Sequence, residues 1–200
     1  MANINLDPHS HNYLNGKLIV AMPHMADERF ARAVIYICAH SREGAMGIIL
    51  NQAQNYTFPS LLMQLRLIDE AAAGLLPQYL WDLPIRQGGP VDRGHGFVLH
   101  SDDYCSDSTL PVSEDVGLTA TVDILNAIAQ GRGPKKSLVA LGYAGWGEGQ
   151  LEDEIIDNSW LIAPCSQSLI FDGTLDGQYH RILASIGVNP MHLVGQVGNS

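Results

Sequence analysis

Residues 18–52 read LIVAMPHMADERFARAVIYICAHSREGAMGIILNQ, and their reading decides the fold. Leu18–Met22 is a continuous apolar run halted by Pro23. That proline disfavours helix in the residue before it and lacks a ladder donor, so the run reads as a buried strand. Asp27-Glu28-Arg29-Phe30 is a short polar connection. Val34 to His40 carries β-branched and aromatic residues and predicts a second strand. Ser41-Arg42-Glu43-Gly44 then predicts a hairpin turn into a third strand, Met46 to Asn51.

Outward from this core, 3.6-residue periodicity predicts four helices. Leu61, Leu65 and Ile68 share one face after Pro59, which suits a helix start. Val122, Leu125 and Ile128 share another, closed by Gly131 and Pro134. Leu151 and Ile155 mark a third, more acidic helix. Tyr179, Ile182, Leu183 and Ile186 form the clearest stripe, stopped at Gly187. Strands are expected at Gly94–His100, Leu138–Tyr143, Trp160–Ile162 and Leu169–Phe171. Strands and helices mix without strict βαβ alternation, which predicts an α+β fold.

The chain has 200 residues, 46% of them apolar and 16% charged, which predicts an ample core and excludes a disordered or coiled-coil protein. One domain over residues 14–189 is expected, with a flexible N-terminal tail, 1–13, and a C-terminal tail, 190–200. The N-terminal residues carry no basic and apolar signal-like regions, and no apolar run approaches the roughly 20 residues of a membrane helix. Cys38, Cys105 and Cys165 are odd in number and widely spaced, unlike a disulfide framework. A cytoplasmic protein with no membrane association is expected. Eleven Lys+Arg stand against 21 Asp+Glu, a formal charge of −10. Phosphate contacts need basic side chains, and the sole adjacent pair is Lys135-Lys136, with Arg132 nearby. Direct nucleic-acid binding is therefore disfavoured.

Three stretches carry a family resemblance: residues 18–52 above, GGPVDRGHGFVLHS at 88–101, and GYAGWGEGQLEDEIIDNSWL at 142–161. Together and in this order they resemble the AlgH/YqgE family of bacterial proteins. The third stretch is the most specific, because Gly, Trp and acidic residues recur at fixed offsets. The resemblance implies an α+β fold with a bifurcated mixed β-sheet folded into a pseudo-barrel, flanked by helices. Some members are labelled transcriptional regulators, and the resemblance transfers no catalytic residue. The chain departs from the family pattern at Ala33, Ser41 and Ala53, where Ser or Thr, Asn, and Pro are expected.

The candidate surface for a ligand or partner centres on Gly145, Trp146, Gly147, Glu148, Gly149 and Glu152, in a loop between a strand and a helix. Such loops cradle anions elsewhere, but Gly145-x-Gly147-x-Gly149 fits neither standard phosphate motif. Glu148, Glu152, Asp153 and Glu154 would repel phosphate. The loop therefore reads as a tight turn that seats Trp146, or as a site for a neutral or cationic ligand. Arg86 and Arg93 flank the Gly88-Gly89-Pro90 bend, where either can grip a carboxylate or neutralise the protein's own acids. For an enzyme at this loop, Glu148, Glu152 or His100 is the acid or base candidate.

Cys38-x-His40 places both side chains on one strand face, as a metal pair would be, and His95 and His100, or His9 and His11, would complete a set, but no second Cys/His pair has finger-like spacing. Cys38 reads as a buried small hydrophobe and His40 as a partly exposed strand end. Cys165 reads as an accessible loop thiol without a neighbouring base. Asp102, Asp103, Asp107, Glu114 and Asp115 read as a solvated acidic loop. No catalytic residue, cofactor or metal is assigned. The expected function is a non-enzymatic binding or regulatory module with a protein or small-molecule partner and an indirect effect on transcription. The alternatives are a small-molecule enzyme at the Gly-Trp-acidic loop and a direct DNA-binding regulator.

Overall fold

A computed structural model describes residues 13–172 and 174–188. The expectations for the tails fall almost wholly outside that range. Nine strands form one sheet: β1 Leu18–Ala21, β2 Val34–Ser41, β3 Gly44–Ile49, β4 Ile85–Gln87, β5 Val91–Ser101, β6 Thr109–Pro111, β7 Val116–Thr119, β8 Ser137–Trp146 and β9 Trp160–Ala163. Their order is β6-β7-β5-β8-β3-β2-β1-β9, antiparallel throughout, and β4 adds in parallel to β8. The helices are α1 Phe58–Gln64, α2 Glu70–Gly74, α3 Gln78–Trp81, α4 Val122–Ala129, α5 Gln150–Ile156, α6 Gln167–Phe171 and α7 Gln178–Ser185. The α+β class and the curled, helix-flanked sheet agree with expectation.

The sheet divides along β8. Ile85–Gln87 of β4 pair with Val139–Leu141, and beyond Gly142 the same edge of β8 passes to β3, with Met46 opposite Gly145. Gly142 has φ +74°, a conformation that glycine adopts without a Cβ penalty. It also reverses the side-chain alternation. Leu138 and Ala140 face the barrel interior while Val139 and Leu141 face outward, yet after Gly142 it is Ala144 and Trp146 that face outward.

The Gly88-Gly89 bend crosses β8 at this point. Gly88 N–H donates to the Leu141 carbonyl (2.8 Å), and Ile49 N–H donates to the Gly88 carbonyl (2.9 Å). A Cβ on Gly142 would lie 2.7 Å from the Gly89 carbonyl oxygen, and one on Gly89 would collide with the Tyr143 carbonyl. Two backbones thus touch where neither tolerates a side chain.

Both faces of the central strands are covered, which explains their unbroken apolar runs. Leu18, Val20, Val34 and Tyr36 point into the interior, closed by Ile170 of α6 and by Tyr179, Ile182 and Leu183 of α7. Ile19, Ala21, Ile35 and Ile37 point outward beneath Leu151 of α5. A third cluster joins α1 and α4 to Val98 and Val139.

Several expectations are corrected. Leu169–Phe171 is not a strand but the end of α6, where Ile170 alone is fully buried and fills the barrel interior. Gly145 and Trp146 are not loop but the continuation of β8, because backbone pairing to Ala45–Gly47 needs no side chain. Cys38 and His40 do not share a face. A β-bulge between Ile37 and Ala39 breaks the alternation, so Cys38 enters the interior cluster while His40 turns outward to α5. His40 is buried, not partly exposed. The helix expected over Leu61–Ile68 ends at Gln64, and α2 and α3 follow it.

Gly89→Ala is expected to destabilise the protein by at least about 3 kcal/mol, because the added carbon overlaps backbone that cannot yield. Gly94→Ala, where a Cβ meets nothing within 4 Å, is expected to stay within about 0.5 kcal/mol. Urea denaturation of the two variants checks this.

Candidate functional site

The end of β8 has two faces with different chemistry. On the outer face, under α5, Trp146 and Trp160 meet edge to face at 5.9 Å, and Phe30 packs against both. Glu154 Oε2 accepts both indole N–H groups, at 2.9 Å from Trp146 and 2.7 Å from Trp160, while Oε1 accepts from Gln150 Nε2 at 2.8 Å. Indole N–H donates and never accepts, so a carboxylate among two buried tryptophans satisfies two donors that apolar neighbours would orphan.

Beside this clamp, Glu152 Oε1 sits 2.9 Å from His40 Nε2. The Leu14 backbone N–H donates to His40 Nδ1 at 3.1 Å, which places the ring proton on Nε2, pointing at Glu152. Tyr13 packs edge-on against the same imidazole. The start of the described chain is thereby fastened to α5 through one histidine.

On the inner face the sheet is open. A groove of 480 Å³ is lined by Ala39, Ser41, Glu43 and Met46 of the β2–β3 hairpin, and by Val91, Tyr143, Gly145 and Trp146. Its floor continues into the barrel interior, where Met46 and Tyr143 pack on the core. Apolar atoms form the floor, and Ser41 and Glu43 stand exposed at the rim.

The remaining residues singled out from the sequence are scattered. Gly147, Glu148 and Gly149 turn the chain from β8 into α5, with Gly147 N–H donating to Gln150 Oε1. Glu148 is exposed, 3.7 Å from Arg42. Arg93 lies exposed in β5. Arg86 and His100 belong to no surface: they are 8% and 0% exposed. Arg86 Nε donates to the Leu50 carbonyl at 2.8 Å, so it caps backbone at the end of β3 and grips no carboxylate among the described residues; burial holds its pKa below the ordinary value.

His100 is fastened by Ser101 and Thr119. The Ser101 carbonyl, 3.0 Å from Nδ1, can only accept, so Nδ1 carries the proton and Nε2 accepts from the Thr119 hydroxyl at 2.9 Å. Burial depresses its pKa below 6.5, partly opposed by the Ser101 carbonyl and Asp103. The Cys165 thiol is half-buried in its loop, and burial and the Asp115 charge push it up to about 12. Asp103 accepts from Ser101 Oγ at 2.5 Å and from Lys135 N–H, and these bonds lower its pKa.

Of the residues singled out from the sequence, Gly145 and Trp146 line the groove, whereas Met46, Val91 and Tyr143, which line it too, were not among them. Sequence reasoning also missed the roles of Glu154, His40 and Trp160. One signal existed for Glu154: it lies three residues after Leu151, on the apolar stripe of α5, where a carboxylate needs buried donors.

The AlgH-like family model matches residues 18–191. The chain belongs to the AlgH-like family. It is 55% identical over 188 residues to the UPF0301 protein mlr7511 of Mesorhizobium japonicum, covering 94% of this chain and 93% of that one. It is 53% identical to the UPF0301 protein BMEA_A0516 of Brucella melitensis, covering 94% of each. The solution structure of the AlgH protein from Pseudomonas aeruginosa superposes with a TM-score of 0.77 at 38% identity, covering 98% of this chain and all of that one. Protein DIP2367 from Corynebacterium diphtheriae, 20% identical with a TM-score of 0.67 over 90% of this chain and 89% of that one, shares the fold. The family resemblance read from the three motifs is thus borne out. No helix among the described residues is long and apolar enough to cross a membrane.

Glu154→Ala is expected to leave two indole N–H groups unpaired and to cost about 1–3 kcal/mol for each. Urea denaturation followed by tryptophan fluorescence checks the loss. His100 gives a pH dependence of defined sign. Its folded pKa lies below the unfolded 6.5, so the unfolded chain binds the proton first and stability falls as pH drops below 6.5. Urea midpoints from about pH 5 to 8 are expected to show this fall, and His100→Gln to flatten it.

Proposed function

We propose that the protein is a non-enzymatic binding module that takes a protein or small-molecule partner in the groove beside Gly145 and Trp146. Any effect on transcription is then indirect, exerted from the cytoplasm through that partner. The observation that carries this reading is the open inner face at the end of β8, a 480 Å³ groove with an apolar floor and a single carboxylate, Glu43, among its lining residues. Grooves of about 300–1,000 Å³ with few polar groups are the usual form of ligand sites. A carboxylate rim favours a neutral or cationic occupant, as the acidic loop sequence does.

Of the acids and histidines that an enzyme would use, Glu152, Glu154 and His100 are engaged elsewhere. Glu152 is bonded to His40, Glu154 to two tryptophans, and His100 to Thr119 within the core. Against direct DNA binding stand the formal charge of −10 and the small extent of the one basic cluster, Arg132, Lys135 and Lys136, in which Arg132 is bonded to Gln130.

Native mass spectrometry of protein purified gently from its own host is expected to show a bound species that is lost in Met46→Glu, whose side chain would obstruct the groove floor. Retention of that species by the variant would remove the groove from the reading. A fluorescence titration showing tight, sequence-selective DNA binding at physiological salt would overturn the indirect effect.

A further inference from the structure

A second cleft shares no lining residue with the groove. It measures 480 Å³ and is walled by Tyr79, Leu80 and Leu83 around α3, by Ile128 of α4, by the Gly131–Ser137 segment, and by Phe171 and Asp172 at the end of α6. Leu80 and Ile128 are buried and form its apolar base, while Tyr79, also in its wall, is 61% exposed.

The walls reverse the charge of the chain. Acidic residues outnumber basic ones 21 to 11 overall, yet the lining carries Lys135 and Lys136 against Asp172 alone. Asp172 holds Lys136, with its two oxygens 3.1 and 3.0 Å from Nζ, which fixes that ammonium at the rim. Lys135 is exposed and forms no ion pair among the described residues.

The lysine segment is also held in place from behind. A Cβ on Gly133 would lie 2.6 Å from Ile128 Cγ1, so the segment rests directly on α4. Lys135 N–H donates to Asp103, Lys136 N–H donates to Ser101 Oγ at 3.1 Å, and the Lys136 carbonyl accepts from Ser101 N–H at 3.0 Å. Backbone anchored in this way presents its charges preorganised, which lowers the ordering cost of binding.

We propose that this cleft binds a small aromatic anion. Its ring lies on Leu80 and Ile128 between Tyr79 and Phe171, where offset or edge-to-face aromatic contact is available. Its phosphate or carboxylate meets the ammonium groups of Lys135 and Lys136. The volume suits a molecule the size of a mononucleotide.

The test is an amide NMR titration of the full chain with two probes, adenosine monophosphate and 1-naphthyl phosphate. Adenosine, 1-naphthol and inorganic phosphate are the controls. Saturable shifts at Gly131, Gly133, Lys136 and Tyr79 are expected with at least one probe, with each control at least tenfold weaker. Saturation by the nucleotide alone assigns a nucleotide ligand, and saturation by the naphthyl probe alone assigns another aryl anion. Lys135→Ala and Tyr79→Ala alter exposed side chains and are each expected to raise the Kd at least fivefold while leaving the rest of the spectrum unchanged. The proposal is overturned if neither probe saturates, if the shifts map elsewhere, if a control binds as tightly, or if both variants bind like the parent.

Discussion

Two backbones in contact at Gly142 set the architecture. β8 changes neighbours along its length at a glycine with φ +74°, where the Gly88-Gly89 bend crosses it. This contact lets the edge of β8 pass from β4 to β3, and it splits the sheet into two wings. The same residue reverses the alternation, so Trp146 turns outward to α5 and Gly145 turns inward to the groove. The groove and the tryptophan clamp are two faces of one backbone irregularity.

Buried polar groups are distributed around that split with a consistent logic. Four of the polar side chains around it are bonded to something that holds the fold. Glu154 satisfies two indoles, Glu152 orients His40, and Arg86 caps the Leu50 carbonyl. His100 is locked to Thr119 in the opposite wing. Residue types that suggest catalysis when read as a list therefore serve as structural connectors. What is left open beside them is shape and apolar surface, edged by Glu43 in the groove and by Lys135 and Lys136 in the second cleft.

Legibility in the sequence followed the length and continuity of each pattern. β1 and β2 were readable because both faces are buried, and their apolar runs are bounded by Pro23 and the hairpin turn. The α7 stripe was readable because its four apolar positions recur at helical spacing up to Gly187. Short elements were not: β6 and β7 have three and four residues, too few for a period to declare itself. In α6, a single turn with one fully buried side chain, Leu169–Phe171 imitates a strand. The bulge at Cys38 left no mark in composition, and it moved His40 to the opposite face from the one that simple alternation assigns.

The sequence alone determined the α+β class, the acidic surface balance and the family, because composition, strong periodicity and the three glycine-containing motifs are local properties of the chain. It also named Gly145 and Trp146 as residues of interest. Tertiary structure alone decided what they do. Which carboxylate meets which indole, which face Trp146 occupies, and which apolar side chains remain uncovered all depend on two backbone irregularities, at Cys38 and Gly142. Each shifts side-chain direction by a half-turn of the strand, and residue order does not record that shift until the strands have paired.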